Sequence, residues 1–191
     1  MPKIVITGGP CAGKTTLIDL IGPELEGRGY RVRLVDECAT DVLSQGLNPT
    51  TCGSVLEFQR HVADLQLQKE EALEQLDPGV VVILDRGLMD SMGYLPDDEF
   101  DLLLAERGMT RAEGYARYDA VIHMVTAAIG AEEHFSHATN EHRLEGAEEA
   151  ARVDQALLRG WSAHPRLAVI DNEGSFEDKL ARAVAAVLAA V

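Results

Sequence analysis

Residues 3 to 16 read Lys-Ile-Val-Ile-Thr-Gly-Gly-Pro-Cys-Ala-Gly-Lys-Thr-Thr. A short apolar run breaks into Gly8-x-x-x-x-Gly13-Lys14-Thr15, and a helical pattern starting at Leu17 follows at once. This is the P-loop motif in the strand, glycine loop and helix setting that it requires. Gly8 and Gly13 let the main chain bend so that the loop Gly8, Gly9, Pro10, Cys11, Ala12, Gly13 turns its N–H groups inward around phosphate oxygens. The positive end of the next helix faces the same anion. Lys14 adds a point charge near the β- and γ-phosphates, the Thr15 hydroxyl is a Mg²⁺ ligand candidate, and Thr16 continues the cradle. The expected ligands are ATP and Mg²⁺.

The rest of the chain reads as alternating strands and helices. Strand-like runs lie at Lys3–Thr7, Arg31–Val35, Val80–Leu84, Ala120–Val125 and Leu167–Ile170. Helical patterns are predicted over Lys14–Leu25, Ser54–Leu76, Asp97–Arg107, Arg111–Tyr118, Glu145–Ser162 and Phe176–Val191. In the second of these, Val55, Phe58, Val62, Leu65 and Leu73 recur close to a 3.6-residue period. Such alternation implies a parallel sheet wrapped on both faces. The 191 residues suit one domain spanning 1–191. Within it, 131–149 is polar, with three histidines (His134, His137, His142) and Arg143, and is expected to be a lid segment.

A net charge of −15 disfavours nucleic acid and anionic membrane surfaces as partners. Cys11, Cys38 and Cys52 show no paired framework and read as reduced thiols of a cytoplasmic protein. The chain opens directly on a strand, so no signal peptide is expected. The Ala/Val-rich stretch from Leu180 to Val191 is too short to span a bilayer.

Beyond the loop, the third strand ends in Asp85-Arg86-Gly87 and the second in Asp36-Glu37. Ligands of open α/β sheets bind at the carboxyl ends of strands, so both acidic ends point at the same crevice as the P-loop. Asp85 is suited to hold the Mg²⁺ water shell or to take a proton from an acceptor hydroxyl; an N-capping role is the plain alternative. Arg86 offers a planar fork for phosphate or carboxylate. Asp36 and Glu37 read as base, substrate anchor or capping residues, and Asp90 as a helix cap or an orienter of Arg86.

These motifs resemble the nucleoside and nucleotide kinase group of P-loop proteins, especially deoxynucleoside and thymidylate kinases. The chain resembles still more closely the small bacterial ATP-binding proteins labelled AAA-type ATPases or predicted kinases. The stretches that carry this are Ile6–Thr16, Asp85–Asp90, Thr139–Glu145, Trp161–Pro165 and Val169–Asn172. The resemblance implies a three-layer α/β sandwich like that of nucleoside monophosphate kinases, with a five-stranded parallel sheet and a small lid. It implies Glu37 or Asp85 as activator of the acceptor hydroxyl and Arg86 as substrate clamp. Phe58 and Gln59, with Arg60 or His61, would line the acceptor pocket, although Gln59 and Arg60 equally suit a solvated helix face. Arg143 would be the lid arginine that stabilises the moving phosphoryl group, while Arg152 is expected to pair with Glu148 on the surface. Asn172 ends the fifth strand, where related kinases bring a loop near adenine; a turn-forming role is the alternative. Trp161 reads as a core or lid-hinge residue. The lid histidines lack a nearby cysteine and read as solvated rather than as zinc ligands.

The leading expectation is an ATP- and Mg²⁺-dependent phosphotransferase acting on a hydroxyl or phosphate of a small molecule. A nucleoside, nucleotide or specialised metabolite such as an antibiotic is the expected acceptor, and a second copy of the chain is a candidate partner. The alternative is an ATP-hydrolysing switch acting on a protein partner. Ile170-Asp-Asn-Glu is not the Asn-Lys-x-Asp guanine reader, which disfavours GTP.

Overall fold

Strand β1 (Lys3–Thr7) is buried along its whole length, and this sets the architecture. A strand without a polar face needs hydrophobic cover on both sides, as in a parallel sheet packed between helices. In a computed structural model, which describes residues 1–76, 79–131 and 146–191, β1 is the central strand. Around it lie β2 (Val32–Val35), β3 (Val81–Asp85), β4 (Ala120–Met124) and β5 (Leu167–Ile170) in the order β2-β3-β1-β4-β5. All pairings are parallel, with Ile6 beside Asp85 on one flank and beside Ile122 on the other.

Helices α1 (Lys14–Gly27), α2 (Cys38–Ser44), α3 (Pro49–Cys52), α4 (Val55–Leu76), α5 (Asp97–Ala105), α6 (Arg111–Ala116), α7 (Ala147–Trp161) and α8 (Phe176–Leu188) complete the described chain, with a 3-10 turn at Leu88–Gly93. On one face α1 and α8 pack against Ile4, Ile6, Ile83, Ile122 and Ile170. On the other, Val5, Val82, Leu84 and Val121 meet the 3-10 turn, Phe100, Leu103 and Trp161. The alternation along β1 and β3 thus feeds two separate cores.

The strand and helix expectations hold to within a few residues at the ends. Three elements were not expected: α2, α3 and the 3-10 turn. Each is short and begins where the chain leaves a strand or a glycine, so no apolar periodicity announces it. Helix α3 is held instead by a capping box, with Asn48 accepting from the N–H groups of Thr50 and Thr51.

A buried carboxylate joins the second face. Glu70 of α4 accepts from Lys3 Nζ (3.2 Å), Arg117 Nη2 (2.8 Å), Tyr118 Oη (3.0 Å) and Gln66 Nε2 (2.9 Å). The Tyr118 hydroxyl in turn accepts from Leu88 N at 2.8 Å, so α4, β1 and the 3-10 turn share one hydrogen-bonded knot. No helix among the described residues is long and apolar enough to cross a membrane. The lid expectation for 131–149, with Arg143 and the three histidines, falls almost wholly on 132–145, outside the described residues.

Candidate functional site

The loop after β1 adopts the conformations that its sequence requires. Gly8, Cys11 and Gly13 have φ of 134°, 56° and 90°. A Cβ on Gly8 would stand 2.0 Å from the carbonyl oxygen of Met124, so the position excludes any side chain. Gly13 lies against the ring of Phe176, which a Cβ would meet at 2.7 Å. Lys14 reaches back along the loop and donates to the carbonyls of Gly8 (3.2 Å) and Gly9 (3.1 Å). Thr15 and Thr16 are exposed at the first turn of α1.

The loop is held from behind by Asp154. This carboxylate is 1% exposed on α7; its Oδ1 accepts from Gly9 N (2.7 Å) and Thr126 N (3.1 Å), and its Oδ2 lies 3.2 Å from His123 Nε2. Thr126 Oγ1 donates to Pro10 O, and Ala127 N donates to Cys11 O at 3.2 Å. Lys179 completes the buried cluster by donating to Val125 O (2.5 Å) and Asn172 Oδ1 (2.7 Å). Burial holds its amine down to about 8, with Asp154 pulling the other way.

Beside the loop, β3 delivers Asp85 and Arg86. Arg86 is buried with φ of 73°, an uncommon conformation for a residue with a side chain, and its N–H donates to Ile6 O at 3.0 Å. Its Nε donates to Glu37 Oε1 at 2.6 Å and its Nη1 to Asp90 Oδ1 at 3.3 Å. Burial works against the guanidinium charge, but Tyr94, Glu37, Asp90 and Asp85 more than restore it, so Arg86 stays charged. Asp90 both caps the 3-10 turn through Gly87 N (2.8 Å) and orients Arg86. It also accepts from Thr7 Oγ1 and from Trp161 Nε1 (3.1 Å). Trp161 is therefore a core residue with one polar task.

Two polar atoms here are buried without a hydrogen-bond partner among the described residues, Asp85 Oδ1 and Arg86 Nη2. Buried groups are normally satisfied, so an orphaned acceptor and an orphaned donor next to a phosphate cradle fit a cation shell and a phosphoryl oxygen. Burial pushes the Asp85 carboxyl above the usual carboxylate range, with Lys14 and Arg86 drawing it back. Glu37 differs: its two oxygens accept from Arg86 Nε and from Thr40 Oγ1 (2.7 Å).

A cavity of about 920 Å³ opens from this cluster, between α2, α4 and the 3-10 turn. Phe58 and Gln59 are both buried in its wall, and Gln59 Oε1 accepts from Ser91 Oγ at 2.9 Å. Gln59 is therefore not a solvated helix residue. Arg60 is elsewhere, bonded to Glu106 (2.8 Å from Nε) and to Glu57, and His61 is exposed. Asp36 is also exposed and does not line the cavity. Arg152 pairs with Glu149 (2.7 Å), its i, i+3 neighbour, rather than with Glu148, and it reaches the cavity wall. Asn172 spends its amide on Thr126 O (2.8 Å) and Ile129 O (2.6 Å), clamping the loop after β4.

A family model described as an AAA domain matches residues 3–179. The chain belongs to this P-loop NTPase family. Among curated proteins none matches. The AAA-domain match agrees with the all-parallel sheet and makes nucleotide binding the property of the fold.

In this AAA-domain protein the sequence reading missed the device behind the loop. Asp154 belongs to no motif in the sequence. It falls on the same face of α7 as Ala150, Val153, Leu157 and Trp161, all buried. A lone carboxylate on an apolar stripe, like His123 inside a fully buried strand, was the available signal.

Proposed function

We propose that the chain is an ATP- and Mg²⁺-dependent phosphotransferase that moves the γ-phosphoryl group of ATP to a hydroxyl or phosphate of a small molecule. The observation that carries this reading is the junction of the two halves. The cavity is lined by Glu37, Arg86 and Asp90, and Asp85 beside them ends the strand that pairs with β1 immediately before the P-loop. A site for ATP hydrolysis alone needs no second cavity of this size.

Main-chain N–H groups of the loop, except that of Gly9, which Asp154 holds from behind, bind the triphosphate together with Lys14. Thr15 would hold Mg²⁺, which when bound neutralises charge on the β- and γ-phosphates. Asp85 is the better base, because its Oδ1 has no partner while Glu37 is engaged with Arg86 and Thr40. It takes the proton of an acceptor hydroxyl, the hydroxyl oxygen bonds to the γ-phosphorus, and ADP leaves. Glu37 and Asp90 aim Arg86, whose Nη2 meets the oxygens of the moving group.

The test follows ADP release from Mg-ATP with and without an acceptor panel. Acceptor-stimulated release that falls at least ~100-fold in Asp85→Asn, with ATP binding retained, supports the reading. Full activity of that variant refutes the base assignment. Hydrolysis indifferent to every acceptor but raised by a protein partner would favour the switch.

A further inference from the structure

The lining of the cavity carries two guanidiniums, Arg86 and Arg152, and two carboxylates, Glu37 and Asp90. Their charges cancel within the wall, and Arg86 sits in ion pairs with both of these carboxylates. Arg152 is further engaged by Glu149 at 2.7 Å. A phosphate dianion placed here would lose its hydration without a net cation to replace it, and burying such a charge is strongly unfavourable.

The rest of the wall is uncharged and mostly apolar, with Thr40, Ser44, Gln59, Gln66 and Ser91 as its polar members. Cys38, Ala39, Leu43, Pro49, Val55 and Phe58 form much of it, and burial raises the Cys38 thiol to about 11, keeping it neutral. Its mouth stands out further. Leu43, Val55 and Tyr94 are 48%, 41% and 38% exposed, and all three line this one cavity. Large apolar side chains left in water around the rim of a pocket are the mark of an apolar ligand. Among the polar lining residues, Gln59 is held in a fixed orientation. Ser91 fixes the Gln59 carbonyl, and the Gln59 amide N–H₂ has no hydrogen-bond partner among the described residues.

We propose that the acceptor is an uncharged, predominantly apolar molecule bearing a hydroxyl for Asp85 and a carbonyl- or ether-type oxygen for Gln59, and that nucleoside monophosphates are not acceptors. This rests on the phosphotransferase reading of the same site. A neutral body satisfies the wall, its apolar part covers Leu43, Val55 and Tyr94, and its hydroxyl lies towards Arg86 and Asp85.

Two measurements on the full chain separate this inference from the reading beneath it. The first is binding of N-phenyl-1-naphthylamine, a neutral apolar fluorophore, to wild type and to the double variant Leu43→Asp/Val55→Asp. The expected result is saturable enhancement with wild type and affinity ~10-fold weaker or worse in the variant, with unchanged Mg-ATP affinity as the folding control. The second is ADP release with adenosine and thymidine monophosphates, with thymidine, and with neutral steroid and macrolactone alcohols. Stimulation by the apolar alcohols and none by the monophosphates is expected. Stimulation by a monophosphate overturns the inference and leaves the phosphotransferase standing. Absence of dye binding, or dye binding unaffected by the double variant, also overturns it. Dye binding as expected with ADP release deaf to every acceptor refutes the phosphotransferase while the apolar character of the cavity stands.

Discussion

Asp154→Ala is the most informative single change, because it removes the support behind the P-loop without touching any group that faces a ligand. The Asp154 carboxylate is 1% exposed and accepts from two main-chain N–H groups, Gly9 at 2.7 Å and Thr126 at 3.1 Å. Alanine leaves both donors buried and unpaired, at a cost of about 1–3 kcal/mol each. The expected loss is therefore roughly 2–6 kcal/mol, a large share of the ~5–15 kcal/mol that holds a domain together. Asn at the same position keeps an Oδ1 acceptor for both N–H groups and disturbs only the His123 contact, so its loss should stay below about 2 kcal/mol. Function should follow in the same order. Gly9 is held at both ends of its residue, with its N–H on Asp154 and its carbonyl on Lys14 at 3.1 Å. Releasing it should weaken Mg-ATP binding ~10-fold in the Ala variant, equivalent to about one lost hydrogen bond. Urea unfolding followed by circular dichroism, with titration calorimetry of Mg-ATP, reads both effects. An Ala variant within about 0.5 kcal/mol of wild type would refute the reasoning. An Asn variant as damaged as Ala would assign the effect to charge, not to acceptance of the two N–H groups.

Three further outcomes are expected. Gly8→Ala should abolish ATP binding or folding, since its Cβ would stand 2.0 Å from Met124 O at a φ of 134°; a soluble variant with wild-type affinity in calorimetry contradicts the loop geometry. Glu70→Ala removes the buried carboxylate that Lys3, Arg117 and Tyr118 share and should cost about 3–5 kcal/mol in urea unfolding, whereas a loss under ~1 kcal/mol would show that the knot is solvated. Lys179, held down to about 8, sheds its proton in the folded state while the unfolded chain keeps it until near 10.5. Its contribution to stability therefore rises with pH across that window, by roughly 1 kcal/mol between pH 8 and 9. The neutral amine still has the N–H groups for Val125 O and Asn172 Oδ1. The rise should appear as the difference between wild type and Lys179→Met, and a difference flat from pH 7 to 10 contradicts it.

The sheet was legible because its strands are continuous apolar runs between helical periods, and β1 and β3 are buried over four or more consecutive residues. The P-loop was legible for a different reason: glycine spacing encodes backbone conformation directly, and Gly8 and Gly13 do take positive φ. Arg86 escaped this logic, since nothing in the residue type foretells a φ of 73°. Asp85, Glu37, Phe58 and Gln59 were each found by their place at a strand end or on a helix, and the fold brings them to one end of the sheet and its cavity. The pairing of Glu37 with Arg86 links positions 49 apart in sequence, and the contact of Asp154 with Gly9 links positions 145 apart. Local pattern carries no information on such closures. Helix α2 shows the same limit: it supplies Cys38, Ala39 and Leu43 to the cavity yet is too short for periodicity to reveal.

The central claim is that the main-chain cradle of residues 8–15, with Lys14, grips a triphosphate. Titration calorimetry of Mg-ATP into the folded wild-type chain and into Lys14→Ala tests it most directly. Saturable one-to-one binding by wild type, weakened ~100-fold or more by the substitution, is the predicted result. No heat from wild type, or equal affinity in the variant, would contradict the account.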